Sequence, residues 1–192
     1  MNSQKRFLMI ALLMGIVLMV VWTICFLRVN RAYPQAELIQ VGLDEPLQYG
    51  PYTITANAAY IEDTVSLYHE NGLSVEDKAL PEKTLVCSVT IERSDSNSID
   101  PAQANLKLSH VTAVSGAWRN LIDTGELYSV LNKGAVKLNE LQHGERQTYF
   151  LIFGLWKDSF SSGSWTHLDK KTVSFQCSIY PRKNEIIFTL NQ

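Results

Sequence analysis

Cysteine is scarce in this chain, with three in 192 residues, and the four histidines stand far apart at His69, His110, His143 and His167. No pair of them has the spacing of a zinc site, so metal-ligand chemistry has no sequence support. His143-Gly144-Glu145 matches the His-x-Glu of zinc deaminases, but the Pro-Cys-x-x-Cys that must accompany it is missing. A Gly-x-Ser-x-Gly elbow, a phosphate-cradling glycine loop and a dinucleotide fingerprint are absent too. Catalytic residues are therefore none, and no cofactor is implied. The acidic pairs Glu62-Asp63 and Glu76-Asp77 lack the Asp-x-Asp spacing of calcium loops and read as solvated acids. Methionine does not occur after position 19, and no Asn-x-Ser/Thr sequon is present. The first keeps the oxidisable thioether out of most of the chain, and the second favours a bacterial envelope over a eukaryotic secretory route. There is no repeat and no low-complexity tract.

What stands out is a run without charge, bounded by Phe7 and Leu27. About 21 residues of helix at 1.5 Å each cross a hydrocarbon core of about 30 Å. A cleavable signal peptide has a shorter apolar centre and small residues before its cleavage site, whereas this run exits through Arg28-Val29-Asn30-Arg31, so retention as an anchor is expected. Cys25 follows Trp22-Thr23-Ile24 and not the small residue of a lipoprotein signal. Lys5 and Arg6 on one side nearly balance Arg28 and Arg31 on the other. With so short a leading tail, the expected arrangement is N-terminus inside and C-terminal domain outside. From Val29 onward, 14 basic residues face 19 acidic ones. A domain of about −5 is a poor partner for nucleic acid or an anionic bilayer surface. The expected organisation is a tail at 1–6, a single-pass transmembrane signal anchor at 7–27, a stalk at 28–35, and one extracytoplasmic domain at 36–192.

The remainder reads as strands. Ala36-Glu37-Leu38-Ile39-Gln40-Val41-Gly42 looks like an edge strand, and Tyr52, Ile54, Ala56, Ala58 and Tyr60 alternate onto one face after the Tyr49-Gly50-Pro51 turn. Residues 62–83 read as a long surface connection with at most one helical turn. Leu85, Cys87, Val89 and Ile91 form the clearest inward face. Turns at 95–98 and 100–101 then precede an alternation of Leu106, Leu108 and His110, with His110 in an inward, hydrogen-bonded position. Residues 118–138 fit neither period well. The run Tyr149-Phe150-Leu151-Ile152-Phe153-Gly154-Leu155-Trp156 is apolar on both faces, as in a central, doubly covered strand. Val173, Phe175, Cys177 and Ile179 share a face, and Ile186, Phe188 and Leu190 close the chain after a turn at 181–184. About seven short strands with turn signals between them predict an all-β, antiparallel β-sandwich.

The strand Leu85-Val86-Cys87-Ser88-Val89-Thr90-Ile91, the Gly144-Glu145 before an aromatic strand with Leu151-Ile152-Phe153, and the closing Ile186-Ile187-Phe188-Thr189-Leu190, set behind an anchor and a polar stalk, resemble the immunoglobulin-like domains of uncharacterised membrane-anchored envelope proteins of Gram-positive bacteria. The resemblance covers about residues 36–190 and implies an immunoglobulin-like sandwich with no defined activity. Cys87 and Cys177, each inward on its own strand, could bridge the two sheets as in antibody-type sandwiches, or remain two buried thiols. The stretch 156–165 sets Trp156, Phe160 and Trp165 among small polar residues. It reads either as a partner-binding loop, in which aromatics supply contact area at low entropic cost, or as a cap on the sandwich core. The expected function is a non-enzymatic binding or accessory module of the cell envelope, contacting a protein or wall partner through loops such as 156–165 and 62–83. The alternatives are a structural spacer or sensor ectodomain, and an envelope enzyme with a loop-assembled site.

Overall fold

The computed structural model describes residues 3–33, 35–94, 106–179 and 182–190. The chain divides into two units, residues 1–36 and 37–192. In the first, helix α1 (Ser3–Ala32) contains Met9–Ala32, a stretch of 24 residues long and apolar enough to cross a membrane. At 1.5 Å per residue it measures about 36 Å. Its side chains, Leu12, Leu18 and Trp22 among them, are exposed along its length, as in a signal anchor or signal peptide. The hydroxyl of Thr23 donates to the Met19 carbonyl at 2.8 Å, so α1 satisfies its own polar side chain. The helix continues through residues 28–32, where a stalk was expected. Nothing in Arg28-Val29-Asn30-Arg31-Ala32 opposes helix, and Tyr33 still donates to the Val29 carbonyl at 2.8 Å.

The second unit contains, among the described residues, nine strands: β1 (Glu37–Val41), β2 (Pro46–Tyr49), β3 (Tyr52–Asp63), β4 (Lys83–Arg93), β5 (Thr112–Ser115), β6 (Trp118–Leu121), β7 (Arg146–Leu155), β8 (Thr172–Gln176) and β9 (Arg182–Thr189). They form a five-stranded sheet in the order β1-β9-β8-β5-β6 and a four-stranded sheet in the order β2-β3-β4-β7. Every pairing is antiparallel except that of β1 with β9. Leu85, Cys87, Val89 and Ile91 of β4 meet Val173, Phe175, Ile186 and Phe188 of β8 and β9 in one core. Phe175 stacks on Phe153 from the opposite sheet at 5.2 Å and meets the Phe188 ring at 4.7 Å. Burying such rings removes the largest apolar areas from water and holds the sheets together. The result is a β-rich, sandwich-like domain.

Short helices cover the outer face of the four-stranded sheet. Helix α2 (Thr64–Glu70) is capped by Asp63, whose carboxylate accepts from the Ser66 N–H at 2.9 Å. Those hydrogen bonds hold the Asp63 carboxyl below its ordinary range. Leu67 and Tyr68 of α2, with Leu127 of α3 (Glu126–Leu131), pack on Val86 and Ile152, the outward residues of β4 and β7. The connection expected at 62–83 runs from α2 through Leu73, Val75 and Leu80, which pack against the same outer cluster.

Several expectations change. In β3 a bulge between Ala56 and Ala58 inverts the alternation, so that Ala59 and Ile61 pack against the core while Tyr60 is exposed. One extra residue flips every side chain beyond it. His110 lies in a short 3₁₀ turn and is exposed. Residues 118–138 resolve into β6 followed by α3. Ile179 falls beyond β8 and is exposed. The run 149–155 is covered on both faces, but among the described residues β7 pairs only with β4 and so ends its sheet. The anticipated Cys87–Cys177 disulfide is not formed, and both thiols are free and buried. Cys177 borders a small space with Ile54, Val89 and Ile91. Burial pushes the Cys177 thiol up to about 12, and Cys87 is raised as well. The turns expected at 95–98 and 100–101 and the prolines at 34 and 181 lie outside the described residues.

Candidate functional site

Two places in the domain combine exposure with side chains suited to recognition, one at each end of the sandwich. At the end where β3 finishes and β4 begins, the chain leaves β7 through Trp156. Gly154 permits this exit, because a Cβ there would lie 3.0 Å from the Pro81 ring. The next turn is pinned by the Lys157 N–H donating to the Glu82 carboxylate at 2.9 Å, which holds that carboxyl below its ordinary range. Ser161 caps the short helix α4 (Ser162–Thr166), its hydroxyl oxygen accepting from the Ser164 N–H at 3.3 Å. That turn delivers Trp165 onto Phe160 at 5.7 Å, and Phe160 onto Trp118 at 5.6 Å. The Lys83 ammonium lies 5.5 Å above the Trp165 ring.

The stretch 156–165 is therefore divided. Phe160 and Trp165 pack against the core as a cap, whereas Trp156 is 42% exposed. Trp156 shares a groove of about 360 Å³ with Trp118, Arg119, Asn120 and Ser159. Arg119 is steadied by donating to the Gln176 side-chain oxygen at 3.1 Å, and Asn120 by donating to the Gly154 carbonyl at 2.8 Å. An exposed indole beside a guanidinium on a rigid frame is the composition of an interface hot spot. Trp118 and Arg119 were missed in the sequence because β6 is four residues long and its period is unreadable.

At the other end, where β3 starts, a cleft of about 600 Å³ opens between β3, β7 and the segment after α3. Tyr149 donates its hydroxyl to the Val136 carbonyl at 2.9 Å, and Tyr52 donates to that of Leu138 at 3.4 Å. Burial, with Tyr128 and Tyr52 beside it, pushes the Tyr149 phenol up to about 12; burial raises Tyr128 as well. The Tyr149 and Tyr128 phenols are therefore held in the neutral form at physiological pH. Lys107 and Lys137 also line the cleft, and among the described residues of its lining none is acidic. These residues are scattered between positions 52 and 149; the only sequence signal is the inward phase of Tyr52 and Tyr149, whose hydroxyls then need partners.

The four histidines are exposed and separate, and among the described residues no group of three His, Cys, Asp or Glu side chains could hold a metal ion. Glu185 is the buried acid. Although burial raises its carboxyl, hydrogen bonds from Lys183, Gln40 and Ser174 bring it below its ordinary range. With Lys183 at 2.7 Å and Ser174 at 2.9 Å, it ties β1, β8 and β9 together on the outer face of their sheet. The network links three strands of one sheet.

No protein-family model and no curated protein matches the chain. Among solved structures, the chain is similar to the crystal structure of a functionally unknown protein from Listeria monocytogenes EGD-e, with a TM-score of 0.44 and 8% identity. That similarity covers 76% of this chain and 80% of the Listeria chain.

Proposed function

We propose that this chain is a single-pass, membrane-anchored binding module of the bacterial cell envelope, working by contact and not by catalysis. Its α1 is retained as a signal anchor with the N-terminus inside, and the sandwich domain lies outside. The charged exit from the anchor supports retention. The absence of sequons supports a bacterial envelope. The strand connectivity supports an immunoglobulin-like arrangement, with β3-β4-β7 facing β6-β5-β8-β9 and β1 lying parallel beside β9.

The observation that carries the binding reading is Trp156. Its neighbours Phe160 and Trp165 are committed to the core, yet it stays 42% exposed on a frame fixed by the Glu82–Lys157 hydrogen bond. A partner, whether envelope protein or wall polymer, would cover that indole together with Arg119 and Ser159. Trp156→Ser tests this against Trp165→Ser. Trp156→Ser keeps the unfolding free energy within about 0.5 kcal/mol and loses partner capture. Trp165→Ser costs about 1–3 kcal/mol, because it removes a packed ring and a cation–π contact. Unchanged capture by the Trp156 variant would sink the recognition role.

A further inference from the structure

The cleft between the three tyrosines plays no part in the reading above and is built like a ligand site. Its volume of about 600 Å³ falls within the range of small-molecule pockets. Its shape is held from two sides. The Tyr149 and Tyr52 hydroxyls fasten the wall at Val136 and Leu138. Asn132 fastens the base of that segment to β7, donating to the Phe150 carbonyl at 2.9 Å and accepting from its N–H at 2.8 Å. A pocket fixed in this way costs little to organise when a ligand enters.

The lining states the ligand's chemistry. Leu108, Val136 and the Tyr128 ring offer flat apolar contact, and the two charged groups among the described lining residues are both lysines. Lys137 has Glu140 at 3.7 Å, whereas Lys107 has no ion-pair partner and the Tyr128 hydroxyl no hydrogen-bond partner among the described residues. Among the described residues of the lining the charged ones are both basic and none is acidic, a bias that favours an anion. We infer that the cleft binds a small amphiphilic anion, its flat apolar body held against Tyr128, Leu108 and Val136 and its carboxylate or sulfonate facing Lys107.

Naphthalene-2-sulfonate is a soluble probe of this class, and naphthalene-2-sulfonamide is its uncharged counterpart. Equilibrium dialysis of the full chain in non-ionic detergent, with empty micelles as reference, reads both. The sulfonate binds saturably at one per chain. Lys107→Met weakens it about fivefold, as loss of one exposed ion pair does, and leaves the sulfonamide within twofold. Ala135→Trp fills the cleft and removes both. If that variant unfolds at a lower temperature than the parent, Ser129→Trp obstructs the cleft from its exposed rim and removes both in its place. Absence of saturable binding above micelles overturns the inference. So does a sulfonate affinity indifferent to Lys107→Met, or survival of binding in a folded, obstructed variant.

Discussion

Strand β7 ends its sheet, and an uncovered edge there would offer unpaired backbone groups to a second chain. The fold closes it with side chains and a loop. Asn132 takes both backbone groups of Phe150, the Asp123 N–H donates to the Ile152 carbonyl at 2.7 Å, and the Asn120 side chain donates to the Gly154 carbonyl at 2.8 Å. The Phe150 N–H and the carbonyls of Phe150, Ile152 and Gly154 along the free edge are thereby satisfied. Asn132→Leu keeps the side-chain size and removes three hydrogen bonds, two to Phe150 and one donated to the Tyr128 carbonyl at 2.9 Å. At about 0.5–1.5 kcal/mol each, the loss is about 2–4 kcal/mol. For a domain of this size that lowers the midpoint by roughly 5–15 °C. Thermal unfolding followed by circular dichroism measures the shift, and light scattering below the midpoint measures edge-to-edge association, which should rise. Asn139→Ala, an exposed position in the same segment, should stay within about 0.5 kcal/mol. An Asn132→Leu midpoint equal to that of Asn139→Ala, with no gain in scattering, would refute the idea that Asn132 seals this edge.

Other outcomes follow from charge and protonation. Because the folded carboxyl of Glu185 lies below its ordinary value, its contribution is complete above pH about 4.5 and is lost as pH falls through the folded value. Acid titration of the unfolding midpoint should therefore be flatter in Glu185→Gln than in the parent, and equal slopes would contradict the assignment. Tyr149 runs the other way. A phenol raised to about 12 in the folded state from an ordinary value of 10.0 favours the neutral form, so stability falls as pH rises from 10 toward 12. Phenolate absorbance should show a late-titrating group that disappears in Tyr149→Phe. For the aromatic end, denaturation of Trp156→Ser and Trp165→Ser should separate the exposed indole from the packed one, and equal stability losses would contradict that division.

Much of the core was legible because period-two alternation in β4, β8 and β9 survives into the structure unaltered. Leu85, Cys87, Val89 and Ile91 face inward as their spacing requires. Where legibility failed, a specific local feature is responsible. The extra residue in β3 leaves no mark in composition, since Ala56, Asn57 and Ala58 suit either register. Helices α2 and α3, seven and six residues long, are too short to display a 3.6-residue period, so the cover they lay over Val86 and Ile152 was invisible. The same cover explains β7. An apolar run on both faces shows that a strand is sandwiched between layers, but it does not show whether hydrogen-bonded strands flank it. Inward phase alone brought Cys87 and Cys177 into one core, but sharing a core does not set the bonding geometry of two thiols, and both are free. At the aromatic end, the three residues marked in the sequence divide, Phe160 and Trp165 packing on the core and Trp156 standing exposed. The cleft drew on four separate segments and carried no motif.

The central claim, an envelope binding module facing outward from its membrane anchor, is tested most directly by treating intact cells with a membrane-impermeant lysine cross-linker and mapping the products by mass spectrometry. Lys157 adjoins Trp156, and Lys137, with 80% of its side chain exposed, lies at the far end of the domain. The account predicts that both react before lysis, that Lys157 links to one recurrent envelope component, and that this link disappears in Trp156→Ser. Modification of these lysines only after the cells are broken would contradict it.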